Sequence, residues 1–262
     1  MAPSFRVQRV VNPTEAQLCE AADLFADLMK TNLGAVSLAG GDISLMPLQA
    51  LALLRAGALA GEYYEATNEE GEMIGYTMWM PPGQEMFSTA EQRRLGFDEF
   101  MAKLSEEAKT YFKTKYIAEF PGFVASLLGP TGKIDSWWLH MAMVRRDFQR
   151  QGVLRTMVKV VREKAEKRGE YLATCTTNDD NIRVYTGLGF DYKGSTSMDS
   201  PWGQWPIHVF NMGLDNHPTA KFRALLSYWF NTFLGFKNQA IQGLWGNIWQ
   251  SYRRFVVQNS KR

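Results

Sequence analysis

Cysteine is scarce in this 262-residue chain: only Cys19 and Cys175 occur, each inside an apolar stretch and with no metal-ligand spacing around it. A disulfide-stapled secreted scaffold is thereby excluded, no metal is expected, and both thiols are expected to be buried and reduced. Long apolar runs are missing too, since no uncharged stretch reaches membrane-spanning length. The opening MAPSFRVQRV has no apolar h-region, so a signal peptide is not expected and a cytoplasmic protein is. Nor is there a surplus of charge. The 29 Lys and Arg against 27 Asp and Glu leave a net +2, which does not suit a nucleic-acid binder. Internal repeats and low-complexity segments are absent. The remaining composition is ordinary for a globular protein, 45% hydrophobic and 21% charged, with length for a sizeable core in one or two domains.

The most informative stretch is Trp137–Gly152, WWLHMAMVRRDFQRQG. Its apolar run Trp137–Val144 predicts one strand buried on both faces. Beyond Arg145-Arg146-Asp147-Phe148 and Gln149-Arg150-Gln151-Gly152, the residues Leu154, Met157, Val158, Val161 and Ala165 recur at helical spacing. The helix should stop near Arg168-Gly169. A strand that turns directly into a helix leaves unpaired N–H groups at the positive end of the helix dipole, which suits phosphate. Arg145, Arg146 and Arg150 would add charge there.

The segment V-R-R-D-F-Q-R-Q-G-V-L resembles the pyrophosphate-binding segment of the GNAT-type N-acetyltransferase superfamily, V-x-P-x-x-[QR]-x-x-G-x-[GA]. Val144, Gln149 and Gly152 match, whereas Arg146 stands where proline is usual and Leu154 where a small residue is usual. Downstream, Tyr171–Thr177 reads as a strand, and Asn178, Tyr185, Gly189 and Phe190 fall on the superfamily's second signature, N-(x)6-Y-(x)3-G-F. LHMAMVRRDFQRQG is also similar to arylalkylamine N-acetyltransferases, which carry a histidine four residues before the motif's valine. That residue is His140; a frequent second histidine is replaced by Trp138.

The resemblance implies an α/β fold: a mixed, mostly antiparallel central sheet flanked by helices. The rest of the chain is compatible with it. Phe5–Val11 reads as a first strand, and Asn12 as the N-cap of a helix with Pro13 at its first position and Glu15 following. Leu18, Ala21, Ala22, Phe25, Leu28 and Met29 form that helix's apolar stripe. Gly40-Gly41-Asp42 precedes a second helix over about 47–60. Glu62–Thr67 and Met73–Met80 read as a hairpin with Gly71 in its turn. Residues 83–135 read as a helical insertion between strands three and four, with patterning over Phe97–Leu104, Ala108–Phe120 and Phe123–Leu128. It either packs on the sheet edge or forms a lid over the acceptor. Asp191–Ser197 and Pro206–Leu214 suggest a closing antiparallel pair. The N-acetyltransferase domain is assigned to 1–214. Residues 215–262 are read as an amphipathic helical extension with the stripe Ile241, Leu244, Trp245, Ile248, Trp249, Tyr252, Phe255 and Val256. No acid follows Asp215, so the stripe suits either a membrane surface or, as is more usual, cover by the domain or by a second subunit in a homodimer.

By resemblance, acetyl-CoA is the co-substrate. Main-chain groups around Met143 and Val144 would bind its arm, and the N–H groups of Gln149, Arg150, Gln151, Gly152, Val153, Leu154 and Arg155 its pyrophosphate. Asn178 is either an arm contact or a helix N-cap. His140 is a candidate base or water relay, with a satisfied core histidine as the bland alternative. Tyr185 is a candidate proton donor to the leaving thiolate, or a packing residue. His208 and His217 are read as structural. Trp79, Trp137, Trp138 and Trp202 are candidates for an aromatic acceptor pocket or for core. The function implied is transfer of acetyl to a primary amine, a small molecule, by direct attack in a ternary complex. Protein or peptide N-acetylation is the alternative, as is a catalytically weak acyl-CoA-binding or interaction protein.

Overall fold

The first helix starts where side chains satisfy its free N–H groups. The computed structural model describes residues 4–213, and the tail, including His217 and the aromatic stripe, lies outside them. After β1 (Arg6–Val10), α1 spans Glu15–Met29 with Thr14 as its N-cap. Thr14 Oγ1 accepts from Gln17 N–H at 3.3 Å and Gln17 Oε1 accepts from Thr14 N–H at 3.0 Å. This reciprocal capping box moves the start two residues past the expected Asn12. Leu18, Ala21, Ala22 and Phe25 are buried, but Cys19 is exposed, contrary to expectation, because one residue further along a helix points about 100° away from the stripe. A short helix that periodicity does not reveal, α2 (Leu33–Leu38), follows its N-cap Asn32. Gly40 and Gly41, at φ 72° and 79°, break it.

Helix α3 (Met46–Ala60) is apolar enough, with its lead-in from Ile43, to pass by composition for a membrane span. It is a core helix: Met46, Ala50 and Leu54 pack with α1 residues, while Arg55 pairs with Glu15 and donates to Leu95 O at 3.3 Å. Strands β2 (Glu62–Thr67) and β3 (Met73–Met80) form the expected hairpin. Four helices come next: α4 (Ala90–Arg94), α5 (Phe97–Lys103), α6 (Glu106–Tyr111) and α7 (Ile117–Leu128), the last two joined by a π-helical turn over Phe112–Tyr116. Helix α7 runs through Pro121, so Phe120 and Phe123 do not end separate pieces. Phe120, Val124 and Leu128 lie on one buried face, and that burial outweighs the single donor proline lacks.

Strand β4 (Trp137–Val144) leads through a 3-10 turn into α8 (Val153–Glu166), β5 (Leu172–Thr176), α9 (Asn181–Leu188), β6 (Asp191–Met198) and β7 (Trp205–Met212). The seven-stranded sheet has the order β1-β2-β3-β4-β5-β7-β6, and only β4 and β5 run parallel. On one face α8 and α9 bury Val158, Val161, Ala165 and Tyr185 against Trp137, Leu139 and Phe210. On the other, α1 and α3 bury Leu18, Phe25 and Met46 against Met78 and Met141. Each such large side chain contributes roughly 1.5–3 kcal/mol by leaving water. Helix α7 packs on β6 and β7, at the end of the sheet beyond β5.

Candidate active site

Strand β4 pairs with β3 from Trp138 to Val144, broken only at His140, and with β5 over a shorter stretch. It pairs with β5 at Trp137, Trp138 and Leu139, and the ladder ends there. From His140 to Val144 the edge facing β5 is open; Trp137, Trp138 and Leu139 are buried as expected, and in the second half Met141 and Val144 are buried while His140, Ala142 and Met143 are only partly so. The register against β3 skips a residue, with Met78 opposite Met141 and Trp79 opposite Leu139. His140 is the extra residue of this bulge, which re-aims side chains where pairing stops. Arg145 N–H donates to Ile74 O at 2.9 Å. Alternation along an antiparallel pair then turns the main-chain groups of Met143 towards β3, and those of Ala142 and Val144 towards the open edge. Ala142, absent from the sequence reading, thus takes the place given there to Met143; only knowledge of the register reveals it.

The turn beyond β4 carries its donors at the end of α8. Arg150 and Gly152 sit at φ 61° and 85°, the left-handed region that Gly152 adopts without strain. No side chain caps the helix, and a Cβ on Gly152 would meet nothing within 4 Å. The first bond inside the helix is Thr156 N–H to Gly152 O at 3.0 Å, so the N–H groups of Gly152, Val153, Leu154 and Arg155 have no helical acceptor. Several side chains hold the turn rather than face it. Gln149 donates its N–H to Arg146 O at 3.4 Å and its amide to Val144 O at 3.0 Å. Gln151 donates to Asp147 O at 2.6 Å, and Arg155 reaches Gly187 O at 3.0 Å. Arg145 pairs with Asp147 at 2.8 Å and Arg146 with Asp27 at 3.7 Å, so both bring acids with them. Arg150 is exposed at the turn. Leu154 packs into the apolar clusters beneath α8, which absorb its bulk.

His140 Nε2 is buried with no hydrogen-bond partner. Burial, reinforced by the Lys133 ammonium, holds the imidazole well below its ordinary value of 6.5, so it is neutral at pH 7 and not tuned to it. Tyr185, in α9, lies with its ring centroid 5.6 Å from Phe190 and 5.2 Å from Phe210. Burial pushes its phenol up to about 12, against a hydrogen bond with Thr174 that lowers it. Asn178 Oδ1 accepts from Asp180 N–H at 2.9 Å, and Asp180 rather than Asn178 is the α9 N-cap. Asn178 also lines a cleft of about 330 Å³ with Met29, Asn32, Thr176, Thr177 and Asn181 at the end of β5.

The sequence model described as the Acetyltransferase (GNAT) family matches residues 62–190, from the start of β2 to the end of the second signature. The chain carries a GNAT acetyltransferase domain. Among curated proteins no relative matches the sequence. Among solved structures the domain is similar to one assigned as arylalkylamine N-acetyltransferase 7 of the yellow fever mosquito Aedes aegypti, at 13% identity over 80% of this chain and 88% of that one, TM-score 0.55. It is similar to arylalkylamine N-acetyltransferase 2 of the same mosquito at 14% identity over 79% and 98%, TM-score 0.52. A third, yncA of Salmonella typhimurium with its cofactor acetyl-CoA, is 13% identical over 82% and 96%, TM-score 0.46. At these identities the likeness is one of fold.

Of the four tryptophans proposed for the acetyltransferase's acceptor pocket, Trp79 and Trp137 lie in the core beneath α8, and Trp202 packs on Tyr111, centroids 5.8 Å apart. Trp138 alone neighbours His140, ring centroids 6.4 Å apart. Three features of the domain escaped sequence reading. Asn32 links the α1–α2 loop to the end of β5, accepting from Thr177 Oγ1 at 2.8 Å and donating to Thr177 O at 3.2 Å. His208 joins Asp179 at 2.7 Å and Tyr192 at 3.4 Å. Lys133 lies over Phe120 and Trp138. Apart from Lys133 over Trp138, each contact joins residues 13 or more positions apart, so no local signal announces it.

Proposed function

We propose that this chain is an acetyl-CoA-dependent N-acetyltransferase for a small primary amine, acting in a ternary complex. One observation carries the reading: the β4–β5 ladder opens at the bulge where His140 presents an unpartnered Nε2. The open edge and uncapped helix end fit the co-substrate. Main-chain groups of Ala142 and Val144 would pair with its amide-bearing arm. The N–H groups from Arg150 to Arg155, with the Arg150 side chain, would hold its pyrophosphate. Asn178, on the cleft, would contact the arm. When bound, acetyl-CoA supplies an acyl group on a good leaving thiolate.

The residues then align and manage protons. Holding the amine against the acyl carbon supplies much of the rate by removing orientational freedom. Neutral His140 accepts an N–H proton from the amine, directly or through water, as nitrogen bonds to carbon and becomes more acidic. Tyr185, protonated across the physiological range, donates to the departing sulfur. The cluster of Tyr116, Phe120 and Trp138 around Lys133 favours a small acceptor over an extended peptide. Both cysteines are free thiols, which agrees with a cytoplasmic location.

Calorimetric titration with acetyl-CoA and dephospho-CoA, followed by CoA release with a panel of monoamines, tests this. Saturable binding plus amine-dependent release is expected. Binding without release on any amine would overturn the catalytic reading in favour of an acyl-CoA-binding protein.

A further inference from the structure

We propose that Lys133 determines acceptor specificity, restricting the enzyme to monoamines with an apolar or aromatic body and excluding diamines and polyamines. The inference deepens the amine-acetylating reading and rests on it for its placement of the acceptor beside His140.

A receptor for an organic ammonium needs ring faces within about 6 Å and a carboxylate counter-charge. All of these surround Lys133. Its Nζ lies 5.8 Å from the Phe120 ring centroid and 5.4 Å from that of Trp138, and it is ion-paired with Glu85. Tyr116 stacks on Phe120 at 5.2 Å and backs the cage. The ammonium held there belongs to the chain itself. The pair is partly withdrawn from solvent, with side-chain exposures of 24% for Lys133 and 36% for Glu85, so its field is not fully screened.

The cage adjoins the chemistry through one side chain. Trp138, which carries the Lys133 ammonium over its face, has its ring centroid 6.4 Å from that of His140, and the Lys133 charge is felt at His140. An acceptor whose nitrogen sits at His140 has its body along Trp138. If that body is a phenyl or alkyl group, it packs on the indole. If it ends in a second ammonium, it meets a cage already filled by a like charge, with the counter-charge of Glu85 already neutralised.

The test compares phenethylamine and cadaverine as acceptors for the wild type, Lys133→Met and Lys133→Arg, by CoA release and by calorimetric binding of each amine to CoA-saturated protein. Lys133→Met keeps a stem over the rings and removes the charge; Lys133→Gln replaces it if that protein fails to fold. Wild type and Lys133→Arg should prefer phenethylamine by on the order of 10²-fold in kcat/KM, and Lys133→Met should raise the cadaverine-to-phenethylamine ratio of kcat/KM at least about tenfold, a ratio from which any change at His140 common to both amines cancels. Adding Glu85→Gln should abolish the gain. Equal use of both amines by the wild type, or an unchanged preference in both uncharged variants, overturns the inference. If no form turns over either amine, cadaverine binding gained only on loss of the charge upholds the cage while the catalytic reading fails. No such gain defeats the cage as well.

Discussion

Replacing Tyr185 by phenylalanine separates its packing from its chemistry. The side chain is 7% exposed and its ring contacts, to Phe190 and Phe210, are all available to phenylalanine. Only the hydroxyl and its hydrogen bond with Thr174 are lost. Such a bond contributes about 1 kcal/mol net, equivalent to roughly 2–4 °C in Tm for a domain of this size. Truncation to alanine would instead remove the ring and cost about 3–5 kcal/mol. Because burial pushes the phenol up to about 12, it carries its proton throughout an assay range of about pH 6–9. If the hydroxyl protonates the leaving sulfur, Tyr185→Phe should lower kcat by about 10²-fold or more. The loss should be the same at every pH in that range, with KM for the amine little changed. The assay is CoA release under saturating acetyl-CoA, paired with a thermal melt of the same preparation. A variant that melts within a few degrees of wild type and retains its kcat refutes the donor role and leaves Tyr185 a packing residue.

The depressed imidazole of His140 gives a second expectation. At saturating amine, the wild-type kcat should show no limb from a histidine as pH falls through 6.5, where an ordinary imidazole would be half protonated. His140→Ala should lower kcat by about 10²-fold across that plateau, and a wild-type limb centred near 6.5 would contradict the burial argument. A third expectation concerns stability. Burial raises the phenols of Tyr63, Tyr64, Tyr76, Tyr116 and Tyr185 above their usual value of 10.0. The folded chain therefore keeps protons that the unfolded chain releases above about pH 10, so stability is full below that pH and falls as pH rises through it. Urea midpoints should drop between about pH 8 and pH 10.5, and an unchanged midpoint would count against those burials.

Local chemistry determined much of this protein. Glu62–Thr67, Met73–Met80 and Trp137–Val144 were legible to the residue, because a run of strand-length apolar side chains between turn residues has few other solutions. The stripe of α8 and the glycines at φ 85° and 98° bracketing α8 and α9 were legible for the same reason, since periodicity and left-handed backbone are properties of a few adjacent residues. Tertiary structure decided the rest. The bulge that sets His140 apart and the end of the β4–β5 ladder depend on register with strands brought from far along the chain. So does the choice between Met143 and Ala142 at the open edge. The ion pairs of Arg145 with Glu72 and of Arg146 with Asp27, and the cage that Phe120, Trp138 and Glu85 build around Lys133, join side chains from separate stretches of the chain. A sequence window carries the conformational preferences of neighbours. Which distant group meets a side chain, and so whether its charge is free or spoken for, is settled only when the sheet closes.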